Sequence, residues 1–208
     1  MTGFDAPQPK FTEILGLHGK WMGNKPALVM GDQILSWRDF DATQNRVANG
    51  LISLGVQKGD RVALITDNSL EMLEAMFGIL RAGAVIVPLN LAVSAEGMQA
   101  MLADSAVSAV FVGAPHVAKV ADICAALPSI LPGGAIVIAG TTPNWTPYSN
   151  WRDAQDNTNP SVETEDDDLF NIIYSSGTTG LPKGIAHTQS RRLAFARDLG
   201  MSARFDSQ

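Results

Sequence analysis

The chain has 208 residues, of which 46% are hydrophobic and 17% are charged. This apolar content is ample for a sizeable core and excludes a wholly disordered chain. The formal net charge of −6 argues against a nucleic-acid partner, which would require a basic face. The single cysteine, Cys124, excludes an internal disulfide, and we expect it to be a buried structural thiol rather than a nucleophile.

The N-terminal residues lack the basic and apolar regions of a secretory signal. No apolar stretch reaches the roughly 18 residues that a transmembrane helix needs, so we expect a cytoplasmic protein without a transmembrane segment. No His, Cys or Asp cluster has metal-ligand spacing, so we expect no structural metal. The three histidines are His18, His116 and His187. Each is expected to pack or hydrogen-bond rather than to contact a ligand.

The first elements in chain order are a small hairpin and a helix. The segments 27–30 and 33–36 flank Gly31 and Asp32, which predicts two short strands joined by a tight turn. Ser36 then precedes a predicted helix. Its apolar positions are Phe40, Val47, Leu51 and Leu54.

Five later runs are continuously apolar rather than alternating, as expected of strands that are buried on both faces. They are residues 62–65, 85–87, 109–112, 135–138 and 169–174. Each intervening gap is long enough for a crossover helix. One such helix is predicted with Asn68 as its N-cap, Glu71 three residues on and Gly83 at its end. The alternation predicts an α/β fold, with a mostly parallel sheet flanked by helices and no clear domain boundary.

The remaining segments are less regular. Residues 145–160 are rich in Pro, Asn, Asp and Trp, which predicts a long connection or a short helix. The acidic run 163–168 is interpreted as a solvated approach to the next strand. Residues 185–187 are expected to return as a second strand. A helix is expected over 193–199, with Arg191 and Arg192 at its solvated start.

The strongest chemical signal lies in residues 174–184, Tyr-Ser-Ser-Gly-Thr-Thr-Gly-Leu-Pro-Lys-Gly. Glycines let successive backbone N–H groups form an anion-binding nest, the hydroxyl groups can donate hydrogen bonds, and lysine adds a compact positive charge. The segment follows a predicted strand, and open α/β sheets bind ligands at the carboxyl ends of their strands. Composition alone would favour a polar surface loop. The Walker A pattern is not met, because Lys183 follows Pro182 and precedes Gly184.

The ordered string 176–184 resembles the signature loop of the adenylate-forming superfamily, which comprises acyl-CoA synthetases, peptide-synthetase adenylation domains and luciferases. Residues 59–64 and 79–90 resemble two earlier segments of that family, in the family's order. Family members are more than twice as long as this chain. The resemblance therefore implies that residues 1–208 are an incomplete N-terminal AMP-binding domain with a phosphate-binding loop at 174–184 and without the C-terminal lid domain.

The resemblance also implies a reaction. ATP would activate a small-molecule carboxylic acid as an acyl-adenylate, and a thiol, usually that of coenzyme A, would then accept the acyl group. ATP, Mg²⁺ and coenzyme A are thus the expected cofactors or cosubstrates. Whether the protein forms a homo-oligomer is left open. The resemblance assigns Lys183 to the leaving group as the catalytic candidate. The other expected phosphate-binding residues are Ser175, Ser176, Gly177, Thr178, Thr179, Gly180 and Gly184. The loop is expected to be mobile without nucleotide.

Three hypotheses are open at this point. The chain is the N-terminal part of an acid–CoA ligase that is inactive alone, a non-catalytic nucleotide-binding or interaction module, or a different ATP-using enzyme that shares the loop by chance. The third predicts a base or nucleophile near the loop, and none is evident. Many relatives carry His-Thr-His where this chain has His187-Thr188-Gln189, so the second histidine is absent.

Overall fold

A seven-stranded mixed sheet lies at the centre of residues 9–175 and 182–203, which are the residues that the computed structural model describes. In chain order, the elements are α1 (Phe11–Trp21), β1 (Pro26–Met30), β2 (Gln33–Ser36), α2 (Trp37–Ser53), β3 (Arg61–Ile65), α3 (Leu70–Arg81), β4 (Val85–Pro88), α4 (Ala95–Ser105), β5 (Ala109–Gly113), α5 (Val117–Ala126), β6 (Ala135–Ile138), β7 (Thr146–Pro147), α6 (Tyr148–Asp153), β8 (Leu169–Ser175), β9 (Lys183–Thr188) and α7 (Gln189–Ser202).

The sheet has the strand order β7-β6-β5-β3-β4-β8-β9. Its strands are parallel except for β9, which runs antiparallel to β8 at one edge. Strands β1 and β2 form a separate antiparallel hairpin around Gly31, whose φ of +58° suits glycine. The predicted mostly parallel α/β fold is confirmed, and so is the early hairpin.

Two apolar layers cover the sheet. Helices α2, α3 and α6 pack on one face, where Leu51, Ile79 and Phe111 belong to a single buried cluster. Helices α4 and α5 pack on the other face around Met98 and Val120. Burial on both faces explains the continuous apolar runs, since a strand between two layers has no solvent-facing side.

Helix α3 has a defined cap at each end. Its N-cap is Ser69, whose hydroxyl accepts a hydrogen bond from the Met72 N–H at 3.0 Å, so the prediction that Asn68 caps this helix was wrong by one residue. Gly83 ends the helix as predicted, with a φ of +72°. The Gly83 N–H donates to Leu80 and the Ala84 N–H to Ile79, which is the Schellman pattern.

The segment 145–160 contains a short helix, α6, that is anchored more firmly than its composition indicates. The Tyr148 hydroxyl donates to Glu74 at 2.9 Å, and Arg152 donates to the same carboxylate at 2.8 Å. Both Tyr148 and Glu74 are buried. Trp151 lies so close to α2 that a Cβ at Gly50 would be 2.4 Å from its ring.

Polar side chains of α2 hold the residues that follow α6. Arg46 donates to the carbonyl oxygens of Asp153 and Gln155 at 3.0 and 2.7 Å. Asn49 donates to those of Asp156 and Thr158, both at 2.8 Å, and Asn45 donates to that of Asn157 at 2.9 Å. The loop after α6 is therefore fixed through its own backbone.

The acidic run 163–168 is more than a solvated approach to β8, so that interpretation was wrong in part. Asp168 forms an ion pair with Lys58 at 2.7 Å, and Asp166 forms another with Lys10. The Gln189 N–H also donates to the Asp168 carbonyl oxygen at 2.9 Å. The run thus connects the start of the chain to the start of α7.

Candidate functional site

The candidate site lies where the β8–β9 hairpin emerges from the carboxyl edge of the parallel sheet. Strand β8 ends at Ser175 and β9 begins at Lys183, and these two residues are directly opposite each other in the antiparallel register. The predicted phosphate-binding residues Ser176, Gly177, Thr178, Thr179 and Gly180 lie outside the described residues. Most of the loop that we expect to be mobile without nucleotide is this same segment. That expectation therefore also concerns residues outside the described ones.

Lys183 is exposed at the start of β9. No carboxylate in the ranges 9–175 and 182–203 forms an ion pair with it. Its compact ammonium group is therefore accessible to an anion at the carboxyl edge of the sheet, as the predicted role requires.

Gly184 has a packing role that the sequence did not reveal. It pairs with Tyr174 across the hairpin, and its φ is not positive. A Cβ at this position would lie 3.0 Å from Ile172 Cγ2 and 3.3 Å from the Tyr174 ring. The absence of a side chain therefore lets the aromatic ring lie across β9.

The Tyr174 ring extends from β8 to helix α4. Its hydroxyl donates to Asp104 Oδ2 at 2.5 Å. Burial raises the pKa of Tyr174 to about 12, and the hydrogen bond to Asp104 and its charge add to the shift. A pocket of about 220 Å³ lies beside this contact, lined by Ala100, Met101 and Pro182 as well as the two bonded residues.

The other end of the hairpin is held by a polar cluster. Arg192 donates to Asn171 Oδ1 through Nε and Nη2 at 3.2 and 3.1 Å. Its Nη2 also lies 3.4 Å from His187 Nδ1. The expectation that Arg192 is part of a solvated helix start was wrong, because it is partly buried against β8. Helix α7 itself is longer than the predicted 193–199.

Each of the three histidines contacts protein side chains, as expected, and the expectation that none of them contacts a ligand stays a prediction. Partial burial lowers the pKa of His187, and the charges of Arg192 and Arg191 lower it further. His116 Nε2 lies 2.7 Å from Asp67 Oδ2. His18 packs edge-on against Trp37, with ring centroids 4.7 Å apart.

Cys124 is a buried thiol, as predicted. It is 5% exposed within the α4–α5 layer, and burial raises its pKa to about 11. It therefore stays protonated near neutral pH.

Asp104, Asn171 and Arg192 are the site residues that sequence reasoning missed. Asn171 offered a signal, because it is a single amide within the apolar run 169–174. Asp104 offered none, since its partner is 70 residues away in the chain.

Residues 18–208 match the family model described as AMP-binding enzyme. A 3-hydroxybenzoate–CoA/4-hydroxybenzoate–CoA ligase of Thauera aromatica is 33% identical over 179 residues, which cover 84% of this chain and 34% of that protein. The long-chain-fatty-acid–CoA ligase FadD13 of Mycobacterium tuberculosis is 36% identical over 162 residues, which cover 76% of this chain and 30% of that protein.

Solved structures agree with this family match. The anthranilate CoA ligase AuaEII in complex with anthranoyl-AMP superposes with a TM-score of 0.86 at 27% identity, over 97% of this chain and 39% of that one. This chain spans about a third of the length of the curated relatives it matches, 34% and 30% for the two named above. The predicted resemblance to the adenylate-forming superfamily is confirmed, and the chain belongs to the AMP-binding enzyme family.

Proposed function

We propose that this chain provides the ATP phosphate-binding part of an acid–CoA ligase. The complete reaction would activate a carboxylic acid as an acyl-adenylate and then transfer the acyl group to coenzyme A. The register that sets Lys183 opposite Ser175 at the carboxyl edge of the sheet carries this proposal. Because the chain spans about a third of its named relatives, at 34% and 30%, we propose that it does not complete the reaction alone.

The chemical problem in the first step is negative charge. A carboxylate must approach a triphosphate, and pyrophosphate must leave with additional charge. Preorganised N–H dipoles and a cation lower this cost, and such electrostatic terms are often the largest in catalysis. Lys183, exposed and without an ion-pair partner in the described part of the chain, would bind the phosphate oxygens of the leaving group.

Magnesium belongs to the substrate in this proposal. In residues 9–175 and 182–203, no group of three or more His, Cys, Asp or Glu side chains could hold a metal ion. Protein-bound Mg²⁺ is commonly held in part by substrate phosphates. The ion would therefore enter with ATP, and this part of the chain would contact the phosphates rather than the metal.

The names of the relatives support a carboxylic acid as the second substrate. Two of them act on hydroxybenzoates and on long-chain fatty acids, and the third was solved with anthranoyl-AMP. These acids share a carboxylate and little else, so the proposal extends to a carboxylic acid and not to a particular class.

In the described ranges, no helix has the length and apolar character of a membrane span.

A second candidate is a non-catalytic module that binds nucleotide or a protein partner. It is favoured by apolar side chains exposed around the hairpin, where Ile185 is 48% exposed and Phe195 is 58% exposed. This candidate uses the same predicted phosphate site but predicts no adenylate, even when the missing part of a relative is supplied.

The first test is the binding of Mg·ATP to the 208-residue chain by calorimetry. We expect Lys183→Ala to weaken binding by about tenfold or more, because a charge-assisted contact to phosphate is lost. Lys25→Ala is the matched control, since Lys25 is also exposed but lies at the β1–β2 hairpin, and it should leave affinity unchanged. Equal affinities of wild type and Lys183→Ala for Mg·ATP would show that Lys183 does not bind the phosphates.

Pyrophosphate exchange and acyl-CoA formation separate the two candidates. The chain alone should form no acyl-CoA with aryl or fatty acids. Its fusion to the remaining part of a ligase from the same family should restore exchange only if the catalytic candidate is right. Turnover by the 208-residue chain itself would contradict the proposal that it is inactive alone.

A further inference from the structure

The outer end of the β8–β9 hairpin extends past the end of its neighbour in the sheet, β4. In the described ranges, β8 pairs with β4 at a single register position, Ile86 with Asn171. Strand β4 ends at Pro88, which has no N–H to continue a ladder. We use the term hairpin tip for residues 173–175 and 183–185, which within the described part of the chain pair only with each other.

A two-stranded ribbon of this kind is marginally stable in water by itself. The two isoleucines of the tip are exposed, Ile173 to 37% and Ile185 to 48%, whereas Tyr174 is partly buried. Burial of the neighbouring Tyr174 ring against the α4–α5 core cluster attracts the tip to the protein, but such burial is non-directional and does not by itself fix the positions of Ser175 and Lys183. An additional restraint is needed if these two residues are to keep a fixed position.

The Tyr174 side chain supplies such a restraint. In the described part of the chain, the bond from its hydroxyl to Asp104 Oδ2, at 2.5 Å, is the side-chain hydrogen bond that leaves the tip. Asp104 belongs to α4, which is packed into the core through Met101 and Leu102. The bond thus connects an exposed ribbon to a rigid helix.

Gly184 makes this connection geometrically feasible. A Cβ at this position would lie 3.3 Å from the Tyr174 ring and 3.0 Å from Ile172, so a larger residue would push the ring away from β9. The Tyr174 hydroxyl is protonated and able to donate at neutral pH, and the raised pKa of about 12 extends this to alkaline pH. The hydrogen bond between Tyr174 and Asp104 therefore depends on the absence of a side chain at Gly184.

We infer that Tyr174 and Asp104 are positioning residues for the predicted phosphate site. Their hydrogen bond fixes the strand ends from which Ser175 and Lys183 face the ligand, while neither side chain contacts phosphate itself. What is bound at the site rests on the proposed function. The restraint on the hairpin tip does not, because it concerns contacts within the protein alone.

Amide hydrogen exchange of the nucleotide-free chain tests the restraint directly. We expect Tyr174→Phe and Asp104→Ala to accelerate exchange in the 173–175 and 183–185 segments by about tenfold, because a hydrogen bond to a carboxylate is lost. Asp104→Asn keeps an acceptor oxygen of the same geometry and should stay within about twofold of wild type. Unchanged exchange in both Tyr174→Phe and Asp104→Ala would overturn the inference.

Tyr148→Phe is the matched control. It removes the same hydroxyl and the same kind of hydrogen bond, here to buried Glu74 at 2.9 Å. It should lower the melting temperature, because it acts on the core, and leave exchange at the tip unchanged. Tyr174→Phe should leave the melting temperature unchanged and accelerate exchange at the tip.

The affinity for a fluorescent ATP analogue tests the positioning role. We expect Tyr174→Phe to weaken binding by about fivefold to tenfold at unchanged melting temperature, and Asp104→Asn to bind like wild type. Faster tip exchange with unchanged affinity would reduce the pair to a structural contact and overturn the positioning role. If the wild-type chain bound no ATP, the proposed function would fail, while the exchange experiment would still decide whether the pair holds Ser175 and Lys183.

Discussion

The interior strands β3 to β5 and the outer hairpin β8–β9 belong to one sheet, yet they are stabilised differently. Residues Val62–Ile65 are at most 4% exposed and lie between two layers of helices. In the described part of the chain, the hairpin tip has two exposed isoleucines, a glycine, a tyrosine ring that is partly buried against the α4–α5 layer, and a hydrogen bond from that tyrosine to α4. The interior is held by burial, which is non-directional, whereas the position of the tip also depends on a directional hydrogen bond. Global stability and site geometry should therefore respond to different mutations.

The largest expected effect comes from removing a core side chain. Phe111 is fully buried in β5 and packs edge-on against Tyr148 and Trp151, with centroids 6.0 and 5.9 Å apart. We expect Phe111→Ala to lower the free energy of unfolding by about 3–5 kcal/mol, measured by urea denaturation. Hydrogen exchange at the hairpin tip should be unchanged where the variant is still folded. A loss below about 1 kcal/mol would show that the interior is not held by burial.

The end of helix α3 should give a smaller loss. Gly83 has a φ of +72°, and a Cβ there would lie 2.8 Å from Val162. Gly31 has a φ of +58°, and a Cβ there would have no atom within 4 Å. A substitution at Gly31 therefore measures the cost of backbone strain without a steric clash. We expect thermal denaturation to show a cost of about 2 kcal/mol or more for Gly83→Ala and about 1 kcal/mol for Gly31→Ala. Equal costs would mean that Val162 moves aside without penalty.

Alkaline pH should act on the interior through Cys124. Its pKa is about 9 in the unfolded chain and about 11 in the folded one, because burial disfavours the thiolate. Between these values the unfolded state binds fewer protons than the native state, so the free energy of unfolding falls as the pH rises, by up to about 2 kcal/mol. Urea titrations across this window should show the fall, and Cys124→Ala should remove the part that begins near pH 9, leaving the part above about pH 10 that the raised pKa values of Tyr148 and Tyr174 predict. If the free energy of unfolding of Cys124→Ala depended on pH in the same way as that of the wild type, groups other than Cys124 would cause the fall.

Acid pH should act on the hairpin, with the smallest effect. The folded-state pKa of His187 lies below its ordinary value, because partial burial and the charges of Arg192 and Arg191 disfavour the imidazolium. The unfolded state then binds more protons, and stability is lost as the pH falls below about 6.5 through the folded-state pKa. His187→Asn should remove this part of the acid dependence in thermal melts. A wild-type-like pH profile in that variant would contradict the prediction.

The interior was predictable because its signals are local. The continuous apolar run at 62–65 indicates a strand buried on both faces, and Gly83 indicates a helix end. The N-cap was missed by one position, because Asn68 and Ser69 are both good caps and only the Ser69 hydroxyl, bonded to the Met72 N–H, distinguishes them.

The candidate site was predictable only in part. The motif at 174–184 indicated an anion site and the family, because its residues are adjacent in the chain. The contacts that hold the site are not adjacent. Tyr174 meets Asp104 across 70 residues and Arg192 meets Asn171 across 21, and no local pattern encodes either pair.

The five hydrogen bonds from α2 to residues 153–158 have a consequence for sequence variation. Their donors are the side chains of Asn45, Arg46 and Asn49, but every acceptor is a main-chain carbonyl, which any residue supplies. The loop can therefore change its side chains over evolutionary time without losing its attachment. Selection to maintain this attachment should act on the helix, so among homologues of this chain the three donors should vary less than the loop that they hold.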